Sequence, residues 1–332
     1  MARASTTHDG PATARDATLT HTERIERGGN NHGDAASRRQ VMFGHQEQVT
    51  VRELMTRNPE GVGAGASVAD VHDWLVENGY TAAPLRRDDP PYLYVTREDL
   101  AAVREDAPED KVYEHADRID LSNLLSPDLG FEDLVVELEA EPFYFVGWHG
   151  TVAGIVTRSD LNKPAAHAFL YTRIGELEMR LRDLVDAEAN WQGTLATLQR
   201  EGPGETSEYD AVSEEYAAYA DSDLQLREVD YTTFWQLQQA AVASDVAVDV
   251  LGYDDGDALG DALTDVRELR NQVAHYGNVV HHMGTELLDS GRNVHELEAT
   301  YATIAGLLDA LAAWADAEGV DTTRRTHAGA SE

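Results

Sequence analysis

Three side chains suited to chemistry on an oxyanion stand close together in Arg270-Asn271-Gln272-Val273-Ala274-His275. A guanidinium offers a planar fork of N–H donors that matches phosphate or carboxylate oxygens. An imidazole can take or give a proton near neutral pH, and a carboxamide can orient either group. A second kind of site is written twice, as Thr96 with Asp99 in "VTREDL" and as Thr157 with Asp160 in "VTRSDL", with Gly154 three residues before Thr157. An ionised carboxylate only accepts hydrogen bonds, which suits a vicinal diol, and a glycine lets a ligand come close to the backbone. Threonine and aspartate also cap helices, so the same residues can be purely structural. The approach to Thr96, "RRDDPPYLY", favours the cap there, and for Thr157 and Asp160 both readings stand.

Other chemistry is excluded or weak. With Cys 0, disulfides, thiolate metal sites and cysteine nucleophiles are all absent. His275, His281 and His282 look like a metal set, but seven residues of helix separate the outer pair by about 10 Å, too far for one ion held at roughly 2 Å. No metal site is expected. The glycines of "GVGAGAS" at 61–67 fit a linker rather than a phosphate loop.

The elements that must position these residues fall into two kinds. From about 49 to 165 the chain repeats itself, each unit holding an amphipathic helix (Val68, Val71, Leu75; then Leu134, Val135, Leu138), an apolar run and a closing Thr-Arg-x-Asp-Leu. Thr96 and Thr157 lie 61 positions apart, which marks a duplicated supersecondary unit. From Leu170 onward the apolar residues step by three and four, predicting helices over 170–198, 208–220, 230–250, 257–288 and 294–316. In the fourth of these, Val266, Leu269, Val273, Tyr276, Val280, Met283 and Leu287 mark the buried face. Asn271, His275, Asn278 and His282 then project outward, with Arg270 on the flank. In a chain with 61 Asp and Glu against 26 Lys and Arg, net charge −35, an outward face of Arg, Asn and His is unexpected. Polar residues 1–45 and 318–332 show no periodicity and are expected to be disordered tails. The N-terminus lacks the apolar segment of a signal peptide, and no 18-residue apolar run occurs, so a cytoplasmic protein with no membrane contact is expected.

Two resemblances emerge. On "RELMTRNP", "YTAAPL" and "GIVTRSDL", residues 46–167 resemble a pair of cystathionine beta-synthase (CBS) domains, with repeats at about 49–105 and 117–165. That implies an αβ module whose cleft binds an adenine nucleotide of AMP or ATP type, with Thr157, Asp160, Gly154, Thr96 and Asp99 as ligand residues. On the R-x4-H pattern of Arg270 and His275, and on Glu178, Leu181 and Arg182 of "IGELEMRLRDLV", residues 168–317 resemble a HEPN (higher eukaryote and prokaryote nucleotide-binding) domain. The implied fold is α+β, a CBS pair followed by an all-α HEPN-like bundle. The implied activity is a metal-independent endoribonuclease formed when two copies meet as a homodimer, with Arg270, Asn271 and His275 at the site and single-stranded RNA as substrate. No cofactor would be required. One imidazole cannot be acid and base at once, which is why a symmetric pair makes sense. The alternative is a non-catalytic scaffold that binds adenine nucleotide and dimerises. The acidity and the two lysines, Lys111 and Lys163, resemble proteins of salt-accumulating halophilic archaea, where molar salt shortens the Debye length to about 3 Å.

Overall fold

The computed structural model describes residues 49–87, 90–200, 206–219, 226–281 and 293–320. The expected tail at 1–45, most of the tail at 318–332, and residues 282–288 of the fourth expected helix lie outside them. The first half runs α1 (Val51–Leu54), β1 (Thr56–Arg57), α2 (Val68–Glu77), β2 (Ala82–Pro84), β3 (Leu93–Thr96), α3 (Arg97–Arg104), β4 (Asp117–Arg118), β5 (Leu124–Leu125), α4 (Phe131–Ala140), β6 (Phe143–Trp148) and β7 (Thr151–Thr157). Ser67 starts α2 by accepting a hydrogen bond from the Asp70 amide at 3.1 Å, and the buried stripe Val68, Val71 and Leu75 turns that helix onto its sheet.

The duplication is visible in the sheets. One has the order β2-β3-β4 and the other β1-β7-β6-β5. β1 opens the first unit yet pairs antiparallel with β7 of the second, Thr56 opposite Ile155. β4 opens the second unit yet pairs antiparallel with β3 of the first, Tyr94 opposite Asp117. Each sheet therefore takes its edge strand from the other unit. The two hairpins meet in a small apolar layer of Ala82, Phe143, Phe145 and Ile155, against which Tyr94 packs edge-on, 5.8 Å from the Phe143 ring and 5.2 Å from the Phe145 ring.

From Pro164 the described residues form helices and turns, apart from a single bridge between Gln199 and Ser207. The helices are α5 (Pro164–Glu188), α6 (Trp191–Thr197), α7 (Glu208–Tyr219), α8 (Phe234–Val242), α9 (Asp245–Val250), α10 (Gly256–Ala274) and α11 (Val294–Glu318). Three of the expected helices are shorter than their apolar periodicity. The stretch 170–198 breaks after Glu188, where Ala189 is extended and the Asn190 side chain caps a new helix at the Gly193 amide. The stretch 230–250 breaks at Ser244, whose hydroxyl caps α9.

The third correction touches the functional motif: the helix expected over 257–288 stops at Ala274. Tyr276 takes a left-handed φ of 53°, and the Gly277 amide turns back to the Gln272 carbonyl at 2.8 Å, a helix-ending pattern. Tyr276 is therefore 78% exposed rather than buried, while Val280 stays buried without being helical. Asn278 likewise sits in the turn after the helix.

The core does not divide where the repeats end. The first αβ unit has its own cluster, including Val62, Val68, Leu75, Val95 and Leu100. The second shares one continuous cluster with the helices, from Val51, Phe131 and Leu138 through Leu177 and Leu269 to Trp314. Along this seam Phe131 packs on Phe169 at 4.9 Å between ring centres, and the Tyr301 hydroxyl donates to Glu132 at 2.6 Å. Burial and that carboxylate together push the Tyr301 hydroxyl's pKa upward.

Candidate functional site

Arg270 and Asn271 lie on the last turn of α10 and line an open cleft of about 430 Å3. Its other walls are Glu178 on α5, Arg267 one turn earlier on α10, and residues 232–235 where α8 begins. The corner at 232–233 is held by Arg182, whose Nη2 donates to Glu178 at 2.6 Å and to the Thr232 carbonyl at 2.9 Å. Thr233 then caps α8. Its hydroxyl accepts from the Gln236 amide at 3.3 Å, and its own amide donates to the Gln236 side chain at 2.8 Å. The partly positive end of a helix therefore opens on the same cleft as two guanidinium groups.

Among the described residues those guanidiniums have no carboxylate partner. Arg270 donates only a long 3.4 Å hydrogen bond to its neighbour Asn271, and among the described residues neither Arg267 nor Arg270 is ion-paired. Among the described residues of the helical half, Arg173 and Arg180 both bind Glu176, Arg182 binds Glu178, and Arg227 binds Asp183, Asp186 and Asp230. His275 is exposed at the end of α10, its amide bonded to the Asn271 carbonyl at 3.1 Å, and it does not line the cleft. The structure thus brings Arg270 and Asn271 to one cavity with Arg267 and Trp235, and leaves His275 at the adjoining helix end.

The two Thr-x-x-Asp pairs are both helix caps. Thr96 accepts from the Asp99 amide at 3.0 Å at the start of α3, and its hydroxyl donates to one Asp99 oxygen at 2.5 Å. Asp99 is exposed, and its other carboxylate oxygen has no partner among the described residues. Thr157 and Asp160 form a reciprocal cap at the start of a 3-10 turn, Arg158–Asn162. There one Asp160 oxygen accepts from the Thr157 amide at 2.7 Å and from its hydroxyl at 3.1 Å. The other is held by Lys163 Nζ at 2.6 Å, and Asp160 is buried. Lys163 also reaches the Leu54 carbonyl and, at 3.4 Å, the Thr56 hydroxyl. At Gly154 the bare face is already filled: a Cβ there would meet Met55 Sδ at 2.8 Å and the Thr56 carbonyl at 2.9 Å. Its missing side chain makes room for the close pairing of β1 on β7.

Two groups of residues were not foreseen from sequence. Arg267 and Trp235 had signals, since Arg267 lies three positions before Arg270 on the same helix face and Trp235 follows a threonine cap. Lys163, one of only two lysines, directly follows the second Thr-x-x-Asp motif. Among the described residues one His and carboxylate cluster has ligand spacing, Glu139, His295 and Glu298 within 4.8 Å of one another, at the exposed rim of the seam. Of the three histidines weighed as a metal set, His282 lies outside the described residues.

No family model matches the chain, and no curated protein matches it. Solved structures do resemble it. One is a CBS domain-containing protein of unknown function from Bacillus anthracis, at TM-score 0.30 and 20% identity, covering 34% of this chain and 90% of that one. A second is CBSX2 in complex with AMP, at TM-score 0.31 and 22% identity over 36% and 98%. A third is the hexameric CBS-CP12 protein from bloom-forming cyanobacteria, at TM-score 0.32 and 21% identity over 52% and 96%. These neighbours are CBS-domain proteins. Among the described residues no helix is long and apolar enough to cross a membrane.

Proposed function

We propose that residues 46–167 are a CBS-type nucleotide-sensing pair and that residues 168–317 are a HEPN-like domain that acts on single-stranded RNA without a metal, as a homodimer. The observation that carries the reading is the pair of guanidiniums, Arg267 and Arg270, that have no carboxylate partner among the described residues and line a cleft with a helix N-terminus in a chain of net charge −35. In the same half of the chain Arg173, Arg180, Arg182 and Arg227 are paired with carboxylates, so two left open in one cavity suit an anionic ligand that arrives from outside. Arg270 and Asn271 hold the scissile phosphodiester and stabilise the charge that builds on its oxygens. His275, at the end of the same helix, removes the 2′-hydroxyl proton, and the partner copy's imidazole protonates the leaving 5′-oxygen, giving a 2′,3′-cyclic phosphate.

The duplicated units with exchanged edge strands support the sensor half. Asp99, with a free carboxylate oxygen, offers the readier place for ribose hydroxyls; at Asp160 an adenine nucleotide has to displace Lys163 first. A cytoplasm rich in salt fits the charge and screens its repulsion of RNA.

A second reading, a nucleotide-binding scaffold without catalysis, is favoured by the position of His275 outside the cleft lining. Labelled RNA incubated with the full chain in molar KCl and EDTA separates the two. Cleavage that falls at least 100-fold in both Arg270→Ala and His275→Ala supports the enzyme. Cleavage by neither wild type nor variants, with AMP still bound, supports the scaffold.

A further inference from the structure

The segment that closes the second αβ unit also holds the segment that ends the R-x4-H helix. Asn162 is the last residue of the 3-10 turn that begins with the Thr157–Asp160 cap. Its side-chain oxygen accepts from the amides of Val279 and Val280, at 2.7 and 2.9 Å, and its nitrogen donates to the Val280 carbonyl at 2.8 Å. A carboxamide has one oxygen able to accept twice and an NH2 group able to donate, so Asn162 reads both sides of this short piece of backbone at once. Aspartate could accept but not donate there, and leucine could do neither.

The held loop is otherwise committed. Val279 and Val280 are buried, and the Tyr276 ring lies stacked on His167 of α5, 5.5 Å between centres and 13° from parallel. Between Val279 and the end of α10 at Ala274 stand four residues, His275, the left-handed Tyr276, Gly277 and Asn278, so the place of His275 follows from where the loop is fixed. Two residues before Asn162, Asp160 is bound by Lys163, which reaches across to the Leu54 carbonyl of α1. The turn is therefore tied on one side to the first unit's entry helix and on the other to the motif loop.

We infer that Asn162 is a positioning residue for His275 and the link through which a change at the Asp160–Lys163 ion pair reaches the R-x4-H site. This rests on the reading that the Arg270–His275 segment is functional, but the test does not depend on RNA cleavage. Hydrogen exchange of the Val279 and Val280 amides is followed in the full chain for wild type, Lys163→Met, Asn162→Ala and the double variant. Loss of Asn162's hydrogen bonds should speed exchange tenfold or more. Lys163→Met should also speed it in the wild-type background and add nothing in the Asn162→Ala background, because a coupled pair is non-additive. Asn162→Asp, of equal size but lacking the donor, guards against misfolding of the alanine variant and should show an intermediate rate.

Unchanged exchange in Lys163→Met, or effects of the two substitutions that simply add, would overturn the inference. With AMP as probe, altered exchange at Val279 and Val280 that disappears in Asn162→Ala would extend the link to nucleotide. Binding of AMP by calorimetry with no change at those amides would count against it. Failure of the ribonuclease reading alone leaves the exchange result standing.

Discussion

Single residues carry most of what is unusual here. Lys163 and Asn162, neighbours in sequence, use their polar atoms in opposite directions, one toward the first αβ unit and one toward the loop after α10. Arg270 and Asn271 could be found from sequence because their types break the acidic habit of the surface. Asn162 could not, since a lone asparagine after Asp-Leu carries no signal until the residue opposite it is known. Tyr144 gives a prediction at this scale. Burial and the nearby Glu137 push its hydroxyl up to about 12, above the ordinary tyrosine value near 10. The protonated form is thus favoured in the folded state, so its contribution is intact below about pH 10 and is lost as pH rises through about 12. Denaturant midpoints for wild type should fall between pH 9.5 and pH 11.5 more steeply than those for Tyr144→Phe; parallel curves would refute this.

At the level of elements, periodicity located nearly every helix and misjudged where several end. Apolar spacing resumes beyond its break at Glu188 and again beyond Ser244, yet Asn190 and Ser244 supply cap oxygens that let the chain turn without leaving amides unsatisfied. The sequence "HYGN" held the stop signal for α10, a glycine and an asparagine just past the last turn, and the run of valines beyond it masked that signal. The duplicated αβ units were legible because 61 residues separate equivalent threonines. The exchange of edge strands was not, because two-residue strands such as Thr56–Arg57 leave no alternation to read. Leu177, fully buried on α5 in the core shared with the second unit, tests that packing. Leu177→Ala should cost about 2–5 kcal/mol of stability in denaturant unfolding. A cost under about 1 kcal/mol would mean that the seam is not packed as described.

For the whole molecule, charge and shared packing dominate. With Asp+Glu at 61 and Lys+Arg at 26, self-repulsion opposes the compact state in dilute buffer. The midpoint of thermal unfolding should climb as KCl rises from 0.1 to 2 M, and a flat or falling trend would exclude this. Because the second αβ unit and the helices have a single core, heat or denaturant should unfold them together, with the first unit, on its own cluster, free to loosen earlier. The borrowed edges set a limit on that freedom. A gene split between the two repeats would yield halves that each lack a ribbon of β structure, so they should fold only in each other's company.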